Sequence, residues 1–294
     1  MLFGLWIGLS CLLFKTSLLA FVRLSLSNDD ASYLVLIPFI SGWVLHLEHR
    51  KVFKSLSHDR VSACVLLVLA AIAAFLSFAA EDALSPGQPA TFHILSLLLV
   101  WVAGFALLFG RDALKAGYFP LLFLFLMVPP PNFFLDRAIF LLQVGSAWVT
   151  GVFFDLAGVA ALRDGLVFHL ARVNIEVAKE CSGIRSSMAL FILSLLVAHF
   201  YLRSYWRKVL FLCCGLLMMV VKNGIRIATL TLLAMWVDPA FLQGRLHHQG
   251  GVVFFLLGLL LLAPLLFLLH RSEVVPAKDP PVSILPSGRK LTSL

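Results

Sequence analysis

The sequence predicts an all-α polytopic membrane protein with about eight transmembrane helices, an interfacial helix and a small extracytoplasmic β-hairpin. Of the 294 residues, 61% are hydrophobic and 13% are charged, whereas a soluble domain is about 45–50% apolar and about 25% charged. The mean hydropathy is +0.99. The apolar residues form runs near the ~20 residues that a helix needs to cross hydrocarbon, where helices satisfy their own backbone hydrogen bonds. Lys and Arg are concentrated between these runs.

Eight apolar runs are interpreted as membrane-spanning helices. They cover residues 2–22, 33–47, 61–80, 92–109, 116–128, 187–202, 209–236 and 251–270. The first run has no charged segment before it and is followed by further spans, so we expect it to be a retained helix and not a cleaved signal peptide.

The positions of Lys and Arg predict the orientation of these spans. Short loops rich in Lys and Arg stay in the cytoplasm. The basic segments are 48–60, 111–115, 203–208 and 271–278, and they alternate with acidic or Pro-rich loops at 29–30, 81–82 and 129–131. This alternation is consistent if both termini are cytoplasmic and residues 132–157 do not cross. We expect that segment to lie at the outer surface as an amphipathic or re-entrant helix.

Residues 163–178 are the one stretch that favours β-structure. Val167 and His169, and then Val173, Ile175 and Val177, alternate with other residues around a short polar break, which is typical of a hairpin. The loop assignment places this hairpin outside the membrane. We expect a single transmembrane domain over 1–270, and residues 271–294 form a basic, Pro-containing cytoplasmic tail of the composition found in disordered segments.

The charge and the cysteines exclude several classes of function. The formal net charge is +8, but the basic residues lie in short loops and not in a patch with interleaved aromatic residues, so we expect no nucleic-acid partner. The five cysteines form no CxxC pair and have no Cys/His metal spacing. Neither a disulfide framework, a metal site nor a cofactor is expected. These cysteines are Cys11, Cys64, Cys181, Cys213 and Cys214.

Cys181 is the first candidate catalytic residue. It lies where the predicted hairpin ends and the next span begins, near the positive end of a helix dipole, which favours a thiolate. Arg185 is four residues later, so on a helix it would share a face with Cys181 and add a positive charge. A cysteine that merely caps a helix would have the same neighbours, so the interpretation depends on the other polar residues.

Two further polar segments interrupt apolar runs. Arg226 lies inside a predicted span, where an arginine costs at least ~2.5 kcal/mol on insertion scales. A structural salt bridge or a snorkelled arginine would explain it, but Asn223 and the adjacent glycine suggest a locally opened helix that lines a polar cavity. His247 and His248 come directly before the last span. By the predicted topology all of these residues lie at the outer level of the membrane.

A thiolate, a group that titrates near neutrality and a fixed guanidinium are the components of an acyl-transfer centre. Cysteine would attack a carbonyl, histidine would protonate the leaving amine, and arginine would stabilise the oxyanion or the thiolate. The sequence leaves open which of the two other groups pairs with the sulfur.

Three segments in this order, ECSGIRS, KNGIRI and HHQGGVVFF, resemble the exosortase/archaeosortase family of membrane-embedded transpeptidases. The stretches SYLVLIPFISGW and LMVPPPNFF are similar to further parts of that family, and the resemblance extends to about residue 270. By position, Cys181 matches the family's nucleophile and Arg226 its arginine. His247 matches the histidine because it precedes Gly251 by four residues, and His248 is the alternative.

The resemblance implies a cysteine peptidase and transpeptidase of the bacterial inner membrane, with its active site on the periplasmic face. Its partners would be membrane-anchored proteins that end in a sorting signal: a short motif (PEP-like, as in PEP-CTERM signals), a transmembrane helix and a basic tail. The enzyme would cleave near the motif through a thioester and pass the acyl group to a lipid or glycan acceptor. A scissile bond just outside a substrate helix would meet a cysteine held at the same depth.

Two other functions remain open from the residues alone. In a polytopic transporter or channel subunit, Arg226, Asn223 and the histidines would line a polar path, with no need for a nucleophile. In a lipid-dependent membrane acyltransferase, the same cysteine would carry a fatty acyl group.

Overall fold

The computed structural model of the chain describes residues 2–27, 31–55, 57–79, 88–171, 173–178, 183–242 and 251–273. Helices dominate these residues, with one small sheet between α8 and α9. The helices are α1 (Leu2–Leu13), α2 (Lys15–Ser27), α3 (Leu36–Leu47), α4 (His49–Val52), α5 (Arg60–Ala79), α6 (Gln88–Ala116), α7 (Tyr118–Leu124), α8 (Asn132–Leu156), α9 (Ile184–Tyr201), α10 (Tyr205–Trp236) and α11 (Gly251–Arg271). Turns of 3-10 helix follow α7 at Phe125–Met127 and α10 at Pro239–Leu242.

The predicted class, an all-α polytopic membrane protein, is confirmed. Within the described residues, six helices are long and apolar enough to cross a membrane, namely α5, α6, α8, α9, α10 and α11. A seventh crossing results if α1 and α2, which meet at 82°, form one broken span. The 12 residues of α3 extend only about 18 Å, less than the ~30 Å hydrocarbon core.

The segments on either side of the three prolines differ from our expectation. Tyr118–Met127, which we expected to cross, is a short helix. Residues 132–157, which we expected at the outer surface, contain the continuous helix α8, which passes the length and composition test for a span. Pro129, Pro130 and Pro131 lack the backbone N–H that a helix interior needs, so the helix ends before them and a new one begins after them.

Residues 132–157 were not predicted to cross because the neighbouring run at 116–128 was counted as a span, and the alternation of basic and acidic loops then left no crossing for them. The exposed apolar side chains of α8 nevertheless lie at helical spacing along one face, as expected for contact with lipid. They include Phe133, Phe140, Val144, Trp148 and Val152.

The sheet contains the predicted hairpin and one additional strand. β1 (Ala161–Asp164), β2 (Val167–Leu170) and β3 (Asn174–Glu176) pair antiparallel in the order β1-β2-β3. The predicted hairpin corresponds to β2 and β3. The Phe168 side chain of β2 is buried against Phe154 at the end of α8, with ring centroids 5.4 Å apart. The sheet therefore covers the C-terminal end of α8.

The segments that we expected to be cytoplasmic meet at one end of the helix bundle, here called the basic end (residues 48–60, 109–116, 201–208 and 270–273). His199 Nε2 and Glu48 Oε1 are 2.7 Å apart. The backbone N–H groups of Arg203 and Ser204 both donate to the Glu273 carboxylate. The opposite end, here called the sheet end, carries β1–β3 and the first turn of α9. The two ends are separated by α9, whose 18 residues extend about 27 Å.

Candidate active site

The structure describes three of the six predicted site residues. Arg185 lies in the first turn of α9, and Asn223 and Arg226 lie in α10. Cys181, His247 and His248 lie outside the described residues. The described part of the candidate site therefore consists of the residues that follow Cys181 in α9, the middle of α10, and the neighbouring faces of α8 and α11.

Gly183 joins the candidate nucleophile's segment to α9. Its backbone is left-handed, with φ 66° and ψ 26°, a conformation that glycine adopts without the penalty that a Cβ imposes. It also lies against α10, because a Cβ at Gly183 would be 2.6 Å from Asn223 Oδ1. The Gly183 carbonyl accepts hydrogen bonds from the Ser187 backbone N–H (2.9 Å) and the Ser186 hydroxyl (3.1 Å). Both the turn and the helix contact require glycine at this position.

The helix that we expected to carry both Cys181 and Arg185 does not extend back to Gly183, and Cys181 lies outside the described residues. The first helical residue of α9 is Ile184, and the left-handed Gly183 precedes it. The rule that residues four apart share a face applies only within a continuous helix, so it does not connect Cys181 with Arg185. The Arg185 side chain is exposed. A supporting role for Arg185 in the chemistry stays a prediction without that geometric basis.

Asn223 is a buried anchor between α10 and α8. Its side chain is 1% exposed, and Nδ2 donates to Ser146 Oγ at 3.0 Å. The next residue, Gly224, accepts a hydrogen bond at its carbonyl from Thr150 Oγ1 at 3.2 Å. A Cβ at Gly224 would lie 2.5 Å from Val149, so the glycine permits this close approach of the two helices, as small residues do in membrane bundles.

The local opening of α10 that we expected around Asn223 and Gly224 is not found, since α10 is one helix from Tyr205 to Trp236. The asparagine and the glycine serve packing against α8 instead. Arg226 is partly exposed and lies about one helical turn beyond Lys222 on the same side of α10. The two cationic side chains of the KNGIRI segment therefore share one face.

Lys222 is a candidate site residue that the sequence interpretation missed. Its side chain is 1% exposed, and its Nζ donates to Ser186 Oγ in the first turn of α9 at 2.6 Å. A Cβ at Gly258 of α11 would lie 3.3 Å from Lys222 Cδ, so the glycine leaves room for the aliphatic stem. The available signal was the lysine itself, because an ionisable residue inside an apolar span is by default a functional candidate.

These contacts join the described part of the ECSGIRS segment to the KNGIRI segment at the sheet end. Gly183 follows Cys181 by two residues and touches Asn223, which precedes Arg226 by three. Cα atoms two residues apart are separated by at most about 7 Å. In the described residues no group of three or more His, Cys, Asp and Glu side chains could hold a metal ion.

Comparison with known proteins adds one finding. The family model described as Transmembrane exosortase (Exosortase_EpsH) matches residues 25–264. The match runs from the end of α2 into α11 and includes all three polar segments. No curated protein and no solved structure matches the chain.

Proposed function

Because this chain belongs to the transmembrane exosortase family, we propose that it is a membrane cysteine transpeptidase that cleaves C-terminal sorting signals of exported proteins. A general transpeptidase role follows from membership of the family. The finer proposal names Cys181 as nucleophile, Arg226 and His247 as its catalytic partners, and a PEP-CTERM-like signal as substrate.

The observation that supports this assignment most is the contact between Gly183 and Asn223. It joins the segment that follows Cys181 to the part of α10 that carries Arg226. The two segments are 40 residues apart in sequence, so only tertiary packing brings them together. An activated nucleophile and a fixed group that stabilises the oxyanion are what acyl transfer requires.

The proposed reaction has two halves. The Cys181 thiolate attacks the carbonyl carbon of the scissile peptide bond, and a guanidinium at Arg226 stabilises the oxyanion. The C–N bond then breaks, the leaving amine takes a proton from His247, and a thioester remains. In the second half a hydroxyl or amine of the acceptor attacks the thioester, its proton passes to His247, and the thiolate leaves. In the resting enzyme, either Arg226 or His247 stabilises the thiolate of Cys181.

The proposed orientation places the basic end in the cytoplasm and the sheet end outside the inner membrane. Loops rich in Lys and Arg remain inside, and these loops meet at one end of the bundle. With six crossings both termini would then be cytoplasmic, and the active site would lie on the side to which substrates are exported. A substrate held by its own transmembrane helix would present its motif at the sheet end. Lateral diffusion and alignment would replace a three-dimensional search.

The test uses an exported reporter protein that ends in a PEP-CTERM-like signal, produced together with the full-length enzyme. We expect processing by the unaltered enzyme, its loss with Cys181→Ala, and its retention with Cys213→Ala, which changes an exposed cysteine of α10. Mass spectrometry of Cys181 during turnover should detect the reporter as a thioester.

Processing that survives Cys181→Ala in a folded protein would contradict the proposal. A transporter-like role would be favoured if neither the unaltered protein nor Cys181→Ala processes the reporter while a transport activity survives the substitution. A fatty acyl group on Cys181, in place of the reporter, would favour a membrane acyltransferase.

A further inference from the structure

The buried Lys222 is the strongest feature of the sheet end that the proposed mechanism does not use. An ammonium group at membrane depth is costly unless the surroundings compensate for its desolvation. Among the described residues, Nζ hydrogen-bonds to Ser186 Oγ, and no carboxylate of that set lies within ion-pair distance. An ordinary structural ion pair within that set therefore does not explain this lysine.

The hydrogen bonds of Lys222 lead toward the candidate nucleophile. Nζ donates to Ser186 Oγ at 2.6 Å, and Ser186 Oγ donates to the Gly183 carbonyl at 3.1 Å. Gly183 is the left-handed residue at which the chain enters α9. These two hydrogen bonds therefore link the middle of α10 to Gly183. Because Gly183 is two residues after Cys181, their Cα atoms are at most about 7 Å apart.

The surroundings of Lys222 hold its side chain in one direction. The aliphatic stem lies against Gly258 of α11, where a Cβ would be 3.3 Å from Lys222 Cδ and 3.4 Å from Leu190 Cδ2. Asn223, the next residue, is held by Ser146 of α8. Helices α8, α9, α10 and α11 therefore meet around this pair, which leaves the ammonium group little choice of position.

We propose that Lys222 and Ser186 are positioning residues of the candidate active site. Through Ser186, the lysine holds Gly183, the residue at which the chain enters α9 two positions after Cys181, and its positive charge favours the thiolate form of Cys181. This inference rests on the proposed function. It adds a second positive charge on α10, at Lys222, to the one at Arg226.

The direction of the hydrogen bonds argues against a serine nucleophile activated by lysine. In such a pair a neutral lysine accepts the serine proton. Here the Ser186 hydroxyl donates its single proton to the Gly183 carbonyl, and Lys222 acts as donor to the serine oxygen. The arrangement suits a charged lysine that orders the turn.

The first experiment measures how fast a neutral alkylating reagent modifies Cys181 as a function of pH. It uses the full-length protein in nanodiscs, and mass spectrometry follows the Cys181 peptide separately from those of the other cysteines. Removal of a nearby positive charge raises the pKa of a thiol. We expect Lys222→Met to shift the midpoint upward by about one pH unit and Lys222→Arg to shift it much less. Lys208→Met, near the basic end of the same helix, should leave it unchanged.

The second experiment follows processing of the reporter. Lys222→Met and Ser186→Ala should lower kcat by about tenfold or more, as misplacement of a reacting group does, with KM nearly unchanged. Ser186→Ala removes the link but keeps the charge, so its alkylation midpoint should stay near that of the unaltered protein. It is also the smaller change, and it tests the link even if Lys222→Met fails to fold.

Alkylation midpoints and kcat values equal to those of Lys208→Met would overturn the proposal. So would loss of processing in Ser186→Ala together with retained processing in Cys181→Ala, because serine would then be the nucleophile. The alkylation midpoint needs no substrate. It therefore tests the positioning role separately from the reporter assay, which tests the proposed function.

Discussion

Gly183 and Asn223 lie so close that a Cβ on the glycine would be 2.6 Å from the asparagine Oδ1. The glycine is also left-handed, with φ 66°. This single contact joins the entry of α9 to the middle of α10, and it has a direct consequence for substitution.

Gly183→Ala should destabilise the protein and abolish processing of the reporter. The left-handed backbone alone costs an L-residue about 1–2 kcal/mol, and the new Cβ would in addition push Asn223 away. Gly158→Ala is a matched control, because Gly158 has φ 69° and nothing lies within 4 Å of its Cβ position. Thermal unfolding in detergent should show the smaller loss for Gly158→Ala, with processing retained. Equal behaviour of the two variants would contradict the role of the contact.

Arg226→Gln should lower kcat by about 10²-fold or more, the usual effect of removing an oxyanion donor, while KM changes little. Arg226→Lys keeps the charge but loses the planar donor arrangement, so an intermediate rate is expected. Arg23→Gln, an exposed position of α2, is the control for loss of a positive charge. A variant Arg226→Gln with unchanged kcat would remove this residue from the proposed mechanism.

The close packing of α8 and α10 can be tested with a double-mutant cycle. A Cβ at Gly145 would lie 2.8 Å from Val220 Cγ1 but 3.7 Å from Val220 Cβ. Gly145→Ala should therefore cost about 1–3 kcal/mol of unfolding free energy, as overpacking does. Val220→Ala should relieve the clash, so the double variant should be more stable than the sum of the single changes predicts. Strict additivity, measured by denaturant unfolding in mixed micelles, would argue against this helix contact.

Cysteine accessibility will determine the orientation of the bundle. In a variant without native cysteines, Leu162→Cys at the 73%-exposed Leu162 of β1 should react with a membrane-impermeant maleimide in intact spheroplasts. Ser57→Cys at the basic end should react only after permeabilisation. The opposite pattern would reverse the proposed orientation and place the candidate nucleophile on the cytoplasmic side.

Glu273 gives the basic end a defined pH dependence. Burial acts to raise the pKa of its carboxyl, but hydrogen bonds from the backbone N–H groups of Arg203 and Ser204, together with Arg207, outweigh it and lower the pKa. A carboxyl whose pKa is lower in the folded state stabilises the protein above its unfolded pKa, and this stability is lost as the pH falls through the folded pKa.

Glu273→Gln should therefore lower the thermal unfolding temperature at pH 7, and the difference from the unaltered protein should shrink as the pH falls below about 4. Asp164→Asn, an exposed position of β1, should show no comparable effect at either pH. A difference for Glu273→Gln that is independent of pH would indicate a steric and not an electrostatic cause.

The membrane class and the hairpin were predictable because each depends on a local pattern. Apolar runs report membrane helices through composition alone, and the alternation at Ile175 and Val177 reports a strand. The α8 span was not predictable in the same way. The charge of the loops fixes which side each loop lies on but not which of two neighbouring apolar segments crosses, and the shorter run at 116–128 was chosen.

For the candidate site, too, some features were predictable from the sequence and others were not. The sequence by itself determined which chemical groups are present, because residue types, their order and their spacing are properties of the chain. Only the tertiary structure decided that Gly183 breaks the helical path to Arg185, that α10 stays closed at Asn223, and that Lys222 reaches Ser186. Each of these depends on how closely two helices approach, and that distance is set by side chains from segments far apart in the sequence.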